Sequence, residues 1–401
     1  MPTPEREHLL SRGKLADRAN LFLGRAWERG WLPPPSLEPD ALWAIAAKGI
    51  NDSVHAEISG RSDEDVADFR LRLEKLCSAM AGEAQLNALG QAMAHGQLVR
   101  VIRNRLAFRE LWRVQPSLLD TKLAPPIIVI GHMRSGTTRI HKLLASDPAH
   151  SHTRYEDAYH PVPARSGMNR IKSALDLAML GALNPWLQSI HPMGVGEVEE
   201  ELAWISAALH HSIYESQWHI PSYSAFSEAR DPTPIYHEFA RILRTDAATR
   251  GIADKPRVIK VPAFAEDLPA LLAQLPDARL VIATRDHDAV HRSAVSLCAN
   301  QMAIQSDHCD LAQIEALWEH KITMREERMA DALEGWTGPI AKLHFDELND
   351  DWESAMRRCY EALGLELNGQ ALTAMRAQMA ESAKGTHVAH SEQLKRFAEG
   401  S

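Results

Sequence analysis

The sequence predicts an α/β protein: a parallel sheet flanked by helices, preceded by an all-α N-terminal region. Three observations carry the prediction. Short, continuously apolar runs rich in Val and Ile recur at 125–131, 257–261, 279–284 and 340–345, as expected for strands buried on both faces. Helical patterns fill the intervals between them, the alternation that yields parallel pairing. Residues 1–120 carry helical periodicity alone. The expected organisation is a helical region at 1–120 and an α/β domain at 121–401 that ends in a helical tail.

Taken in order, a Pro33-Pro34-Pro35 run interrupts the first helices. Ser62-Asp63-Glu64-Asp65 reads as a capping-box-like start. The helix behind it carries Phe69, Leu73, Leu76 and Met80 at helical spacing, and the next carries Leu98, Val101, Ile102 and Leu106. Strand PPIIVIG opens the α/β part. Helical patterns follow at about 136–146, 197–215, 234–248, 265–275, 287–300 and 310–333, interleaved with strands RVIKV, RLVIAT and IAKLHF. Helices at about 349–364 and 368–382 close the chain before a polar tail.

Composition narrows the function. The 401 residues hold 44 Lys plus Arg against 53 Asp plus Glu, a net charge of −9 that disfavours a general nucleic-acid binder. Apolar residues at 45% exclude a disordered chain. Cys77, Cys298, Cys309 and Cys359 form no C-x-x-C pair, so free thiols in a reducing compartment are expected. The N-terminus has no apolar core of a signal peptide, and no run is long enough to span a bilayer. A soluble, cytoplasmic protein without a membrane anchor is the expectation.

The most informative segment is PPIIVIGHMRSGTTRIHKLL. A buried strand enters Gly131-His132-Met133-Arg134-Ser135-Gly136-Thr137-Thr138, and a helix starts at once. Glycines permit a tight turn with amides pointing inward, and the helix N-terminus adds free N–H groups and partial positive charge. Arg134 supplies a forked cation, Thr137 and Thr138 hydroxyls. The result is a P-loop-like cradle for phosphate or sulfate. The G-x-x-x-x-G spacing matches a nucleotide-triphosphate loop, yet Thr-Thr replaces the Lys-Ser/Thr that would grip β/γ-phosphates. An ordinary ATPase or GTPase is disfavoured.

IIVIGHMRSGTT resembles the 5′-phosphosulfate loop of sulfotransferases that use 3′-phosphoadenosine 5′-phosphosulfate. It is similar in particular to the bacterial and tyrosylprotein branches, whose loops share the R-S-G-T-T core. The resemblance covers about residues 125–348 by motif. It implies that Arg134, Ser135, Gly136, Thr137 and Thr138 hold the 5′-phosphosulfate. Arg285 ends the strand RLVIAT, and Ser293 follows eight positions later. A little over two helical turns would let both face one ligand, and the pair resembles the family's 3′-phosphate motif. Lys384-Gly385 is a weaker echo of a C-terminal donor-binding loop.

For chemistry, the resemblance implies Glu156 as the base that deprotonates an acceptor hydroxyl, with Asp157 as its rival. Glu156 lies twenty-two residues past Arg134, near the spacing of the tyrosylprotein branch. Lys260 resembles the lysine that meets the transferring group; where the aryl and steroid branches place a histidine base two residues on, this chain has Pro262. Arg134 and Lys260 would stabilise the transferring group, so no metal is required.

Twenty histidines invite a metal reading. Neither His287 with His291 nor the adjacent His210 and His211 has a carboxylate or cysteine set at ligand spacing. His160, His191 and His219 are candidates for lining an acceptor pocket. Glu197, Glu199, Glu200 and Glu201 suit the positive end of a helix.

The expected function is sulfuryl transfer from that donor to the hydroxyl of a small-molecule or lipid-like acceptor, with no nucleic-acid partner and with a homo-oligomer left open. The alternatives are a non-catalytic nucleotide-binding protein on the same fold and a degenerate P-loop kinase.

Overall fold

The computed structural model describes residues 6–50, 59–164 and 167–383. Lys384-Gly385 therefore lies outside the described residues. Five strands, β1 (Ile127–Ile130), β2 (Ser151–His152), β3 (Arg257–Lys260), β4 (Arg279–Thr284) and β5 (Ile340–His344), form one parallel sheet in the order β2-β3-β1-β4-β5. The register Ile127–Val258 and Ile127–Arg279 fixes β1 at the centre.

Alternation along each strand divides the core in two. Ile128, Ile130, Ile259 and Leu280 pack on one face against Tyr236, Phe239 and Leu268. Ile127, Val129, Val258 and Val281 pack on the other against Ile140, Leu144 and Met356. Both faces of β1, β3 and β4 are covered, which explains why these strands read as apolar runs, whereas edge strand β5 alternates buried Ala341 and Leu343 with exposed Lys342 and His344. The chain leaves β1 towards β2 and β3 on one side and reaches β4 and β5 on the other. The loop after β1 thus lies where the strand order reverses, at the carboxyl ends of the strands.

Four long helices precede the sheet: α1 (Lys14–Glu28), α2 (Pro39–Ala47), α3 (Asp63–Gly82) and α4 (Ala88–Val114). The proline run separates α1 from α2. Ser62 caps α3 as its sequence indicated, its hydroxyl accepting the Asp65 amide at 3.1 Å. Phe69, Leu73, Leu76, Met80, Leu98, Ile102 and Leu106 are all buried. They share one cluster with Leu209, Tyr214, Trp218 and Tyr223, so the N-terminal helices pack on a segment that follows β2. Buried Arg61 adds an ion pair to Glu238 at 2.5 Å.

Several expectations needed correction. β2 is two polar residues, Ser151 and His152, too short to leave a periodic signal. Helix α5 (Thr137–Ser146) was expected, whereas α6 (Tyr155–Tyr159) and α7 (Met168–Leu183) were not. The helix expected over 197–215 is instead two short ones, Leu202–Ser206 and Ser212–Glu215, broken where Leu209 takes φ +63°. The helix expected over 265–275 starts at Leu268, after a 3-10 turn at Pro262–Ala265. The one expected over 349–364 splits into Phe345–Asp350 and Trp352–Ala362.

Candidate functional site

The loop from Gly131 to Gly136 turns β1 into α5. Gly131 has φ +149°, and a Cβ there would lie 2.5 Å from the Ala283 carbonyl oxygen of the neighbouring strand β4. Gly136, the residue before α5, has φ +93°. Between them Arg134 adopts φ +70°, a left-handed backbone rare for a residue with a side chain and commonest at functional loops. Ser135 is fully buried and its hydroxyl donates to the His132 carbonyl at 2.7 Å. Its side chain staples the turn. Among the described residues the N–H groups of Gly136, Thr137 and Thr138 make no hydrogen bond, and no side chain caps α5. They are free donors at the positive end of a helix.

The structure joins the two anion motifs. Arg134 donates from Nε to the Ser293 hydroxyl at 2.9 Å and from a terminal nitrogen to the Ile190 carbonyl at 3.0 Å. Arg285 donates to the Arg134 carbonyl at 2.7 Å while its guanidinium stacks on Phe345. Among the described residues, neither Arg134 nor Arg285 has a carboxylate within ion-pair distance. Burial pulls both arginines below the usual guanidinium range, and the charge of Arg285 lowers Arg134 further. Asp346 and Asp286 offset part of the charge of Arg285, whereas half-buried Arg134 has no carboxylate partner, an arrangement that an incoming anion completes.

Lys260 ends β3 beside this pair. Its ammonium donates to Glu200 at 2.5 Å and to the Thr138 hydroxyl at 3.4 Å. Glu199 holds His191 at 3.3 Å. Burial pulls His191 down, but the Glu199 charge and hydrogen bond outweigh it, and the imidazole stands above its ordinary value. Arg134, Thr137, Thr138, His191, Glu200 and Lys260 line one open cleft. Its remaining walls include Met133, Ile190, Leu202, Pro262, Leu297 and Trp318.

Glu156 is not among the residues lining this cleft. It is buried on α6, with its carboxylate 3.0 Å from Arg154 and 3.7 Å from Arg170. Asp157 is held by Arg154 at 2.7 Å and by Arg250 at 3.0 Å. The carboxylate the fold brings to Lys260 is Glu200. In the sequence Glu200 stands only within an acidic helix start, because its partner lies sixty residues away on β3 and nothing local marks the pairing.

Glu201, next in the chain, is fully buried. It accepts the Thr153 hydroxyl at 2.6 Å and the Lys260 amide at 2.9 Å, tying this segment to β3. Burial raises its carboxyl to about 7, although both hydrogen bonds act against the rise. An acid raised on folding keeps its proton in the native state after the unfolded chain has lost it. Its contribution to stability therefore falls as pH rises from about 4.5 to about 7. Wild-type unfolding free energy should decline across that window by about 2–3 kcal/mol more than in Glu201→Gln. Urea titrations of both proteins at pH 5 and 7.5 measure the difference; parallel pH slopes would contradict the assignment.

The histidines separate into roles. His160 pairs with Asp176 at 2.9 Å, and His219 lines a small second cavity. For His210 and His211 the sequence offered no carboxylate partners, and the fold corrects this: Asp267 lies 3.0 Å from His210 and Glu266 2.9 Å from His211. At the centre of that cluster sits the Lys321 ammonium, 2.7 Å from His211 and 3.0 Å from Glu215. The chain supplies its own cation where a metal would otherwise be sought. Arg325, paired with Glu266, carries this buried network to the cleft wall.

Residues 125–369 match the model of the sulfotransferase family. The crystal structure of sulfotransferase STF1 from Mycobacterium tuberculosis H37Rv superposes with a TM-score of 0.75 at 28% identity, covering 90% of this chain and 98% of that one. Sulfotransferase STF9 from Mycobacterium avium superposes at 0.76 with 20% identity, covering 86% of this chain and 88% of that one, a likeness of fold. No curated protein matches the chain.

Proposed function

The chain belongs to the sulfotransferase family, and on that footing we propose that it moves a sulfuryl group from 3′-phosphoadenosine 5′-phosphosulfate to the hydroxyl of an acceptor with an apolar body. One observation carries the reading. At the switch point of the sheet, half-buried Arg134 and the free amides of Gly136, Thr137 and Thr138 converge without a carboxylate to meet them. That donor set fits a sulfate or phosphate oxyanion. When bound, the donor supplies an activated sulfuryl group and leaves as the bisphosphate.

The chain's residues then divide the work. Arg134, with the loop amides, holds the 5′ end of the donor. Arg285 and Ser293, one residue removed from the same cradle, hold the 3′-phosphate. Lys260 turns from Glu200 to the transferring group, which frees the Glu200 carboxylate to take the acceptor proton. The apolar walls at Met133, Leu202, Leu297 and Trp318 favour a phenol, sterol or lipid-like alcohol over a charged acceptor.

Incubation with sulfur-labelled donor and a panel of phenols, sterols and fatty alcohols tests the proposal. Label should pass to at least one hydroxyl without added metal. Donor binding with no transfer to any acceptor would support a non-catalytic nucleotide-binding protein. Transfer of γ-phosphate from ATP would support a kinase.

A further inference from the structure

Beyond catalysis, one surface is unlike the rest of the molecule. Helix α7 turns Met168, Ile171, Leu175 and Met179 to solvent, with Leu175 66% exposed. The four residues fall on one stripe about 17 Å long. A soluble helix normally buries such a stripe. Its neighbour α1 buries Ala16 and packs Ala19 and Leu23 beside Leu183 of α7. The outward side of α1 carries Leu21 and Phe22, the latter 58% exposed. These positions make up most of the large apolar side chains exposed among the described residues.

The charges around the stripe are of one dominant sign. Exposed Lys14, Arg18, Arg25 and Arg29 lie along and just after α1, and exposed Arg170 and Lys172 begin α7. Asp17 is engaged by Arg12 at 2.9 Å and half-buried Asp176 by His160 and Arg100, which leaves exposed Glu28 as the remaining acidic residue of the two helices against six cations. A chain of net charge −9 thus has a local cationic rim around an apolar stripe. Long cationic side chains beside an apolar helix face suit a surface that is apolar within and anionic at its edge. A soluble acidic partner would match the rim and leave the stripe in water, while a second copy would bring the two cationic rims together.

We propose that α1 and α7 form a docking face for an anionic lipid surface, onto which the protein binds peripherally. The face adjoins the site: α7 packs on the short helix Leu187–Ile190, whose Ile190 lines the cleft. Docking there would hold the enzyme beside a reservoir of lipid-like alcohols. No helix among the described residues is long and apolar enough to cross a membrane, so the contact is interfacial.

Vesicle co-sedimentation tests this without donor or acceptor, so its failure leaves the sulfotransfer reading standing. The full chain is mixed with phosphatidylcholine vesicles, alone or with about 30% phosphatidylglycerol. Binding should require the anionic lipid and weaken with added salt. Ile171→Asp with Leu175→Asp should lower it at least about tenfold, and so should Arg18→Glu with Arg25→Glu. Both positions pairs are exposed, so thermal melts of the variants should match wild type. Sedimentation with neither vesicle, or equal binding to both, would overturn the proposal. So would a wild-type dimer in ultracentrifugation that Ile171→Asp with Leu175→Asp converts to monomer without any lipid binding.

Discussion

Arg134→Ala should cut turnover about a thousandfold while leaving the protein folded. The guanidinium sits in a wall of the cleft with only neutral partners, the Ser293 hydroxyl and the Ile190 carbonyl. Its loss removes two hydrogen bonds, each contributing about 1 kcal/mol, and also removes a half-buried cation that has no carboxylate partner, while alanine leaves the left-handed backbone as it was. Those effects offset one another, so the melting temperature should stay close to wild type. Arg61, by contrast, is buried against Glu238 at 2.5 Å. Arg61→Ala would remove both short hydrogen bonds to that carboxylate, leaving it only Arg105 at 3.8 Å and Arg241 at 3.6 Å, and cost about 2–3 kcal/mol of stability. The pair of variants separates an arginine kept for an incoming anion from one kept for the fold. Arg134→Lys should recover little, because a point charge cannot reproduce the fork to Ser293 and Ile190. Steady-state kinetics with wild-type-like thermal melts would bear this out; turnover within tenfold of wild type would refute it.

Glu200→Gln should lower kcat about a hundredfold or more, the usual scale for losing a general base. The amide keeps the shape and a hydrogen bond to Lys260 while removing the proton acceptor. KM for the acceptor should change much less, and the acidic limb of the pH–rate profile should disappear. Glu156→Gln is the matched control. The motif spacing points to Glu156, whereas the cleft geometry points to Glu200, and only one substitution should abolish the limb. Near wild-type turnover in Glu200→Gln, with collapse in Glu156→Gln, would return the base to α6 and require a rearrangement of the Arg154 and Arg170 contacts.

The parts of this molecule legible in its sequence are those decided locally. Three of the five strands announce themselves because burial on both faces demands apolar runs, and edge strand β5 by the alternation of buried Ala341 and Leu343 with exposed Lys342 and His344. The loop 131–138 is readable because glycine, cation and hydroxyls must sit at fixed offsets to surround an oxyanion. Helical spacing lets Arg285 and Ser293 face one ligand, the resemblance to the family motif gives that ligand as the 3′-phosphate, and in the fold both residues touch Arg134. What escaped is what depends on distant pairing. Nothing near Glu200 records that Lys260 will end beside it, and nothing near His211 records Lys321. Helix α7 escaped for another reason: its apolar residues face water, so it carries no core-facing signature to be matched with the rest of the fold.

The central claim is that the cleft recognises a bisphosphorylated adenosine. Thermal melting of the wild-type protein with adenosine 3′,5′-bisphosphate, ATP or GTP tests it most directly. At a hundredfold excess over its dissociation constant, the bisphosphate should stabilise the fold by about 2.7 kcal/mol, or about 3 °C for a chain of this length. ATP and GTP with magnesium should give a much smaller shift, and Arg134→Ala should abolish the response to the bisphosphate. A rise with ATP alone, or an undiminished rise in Arg134→Ala, would contradict the account.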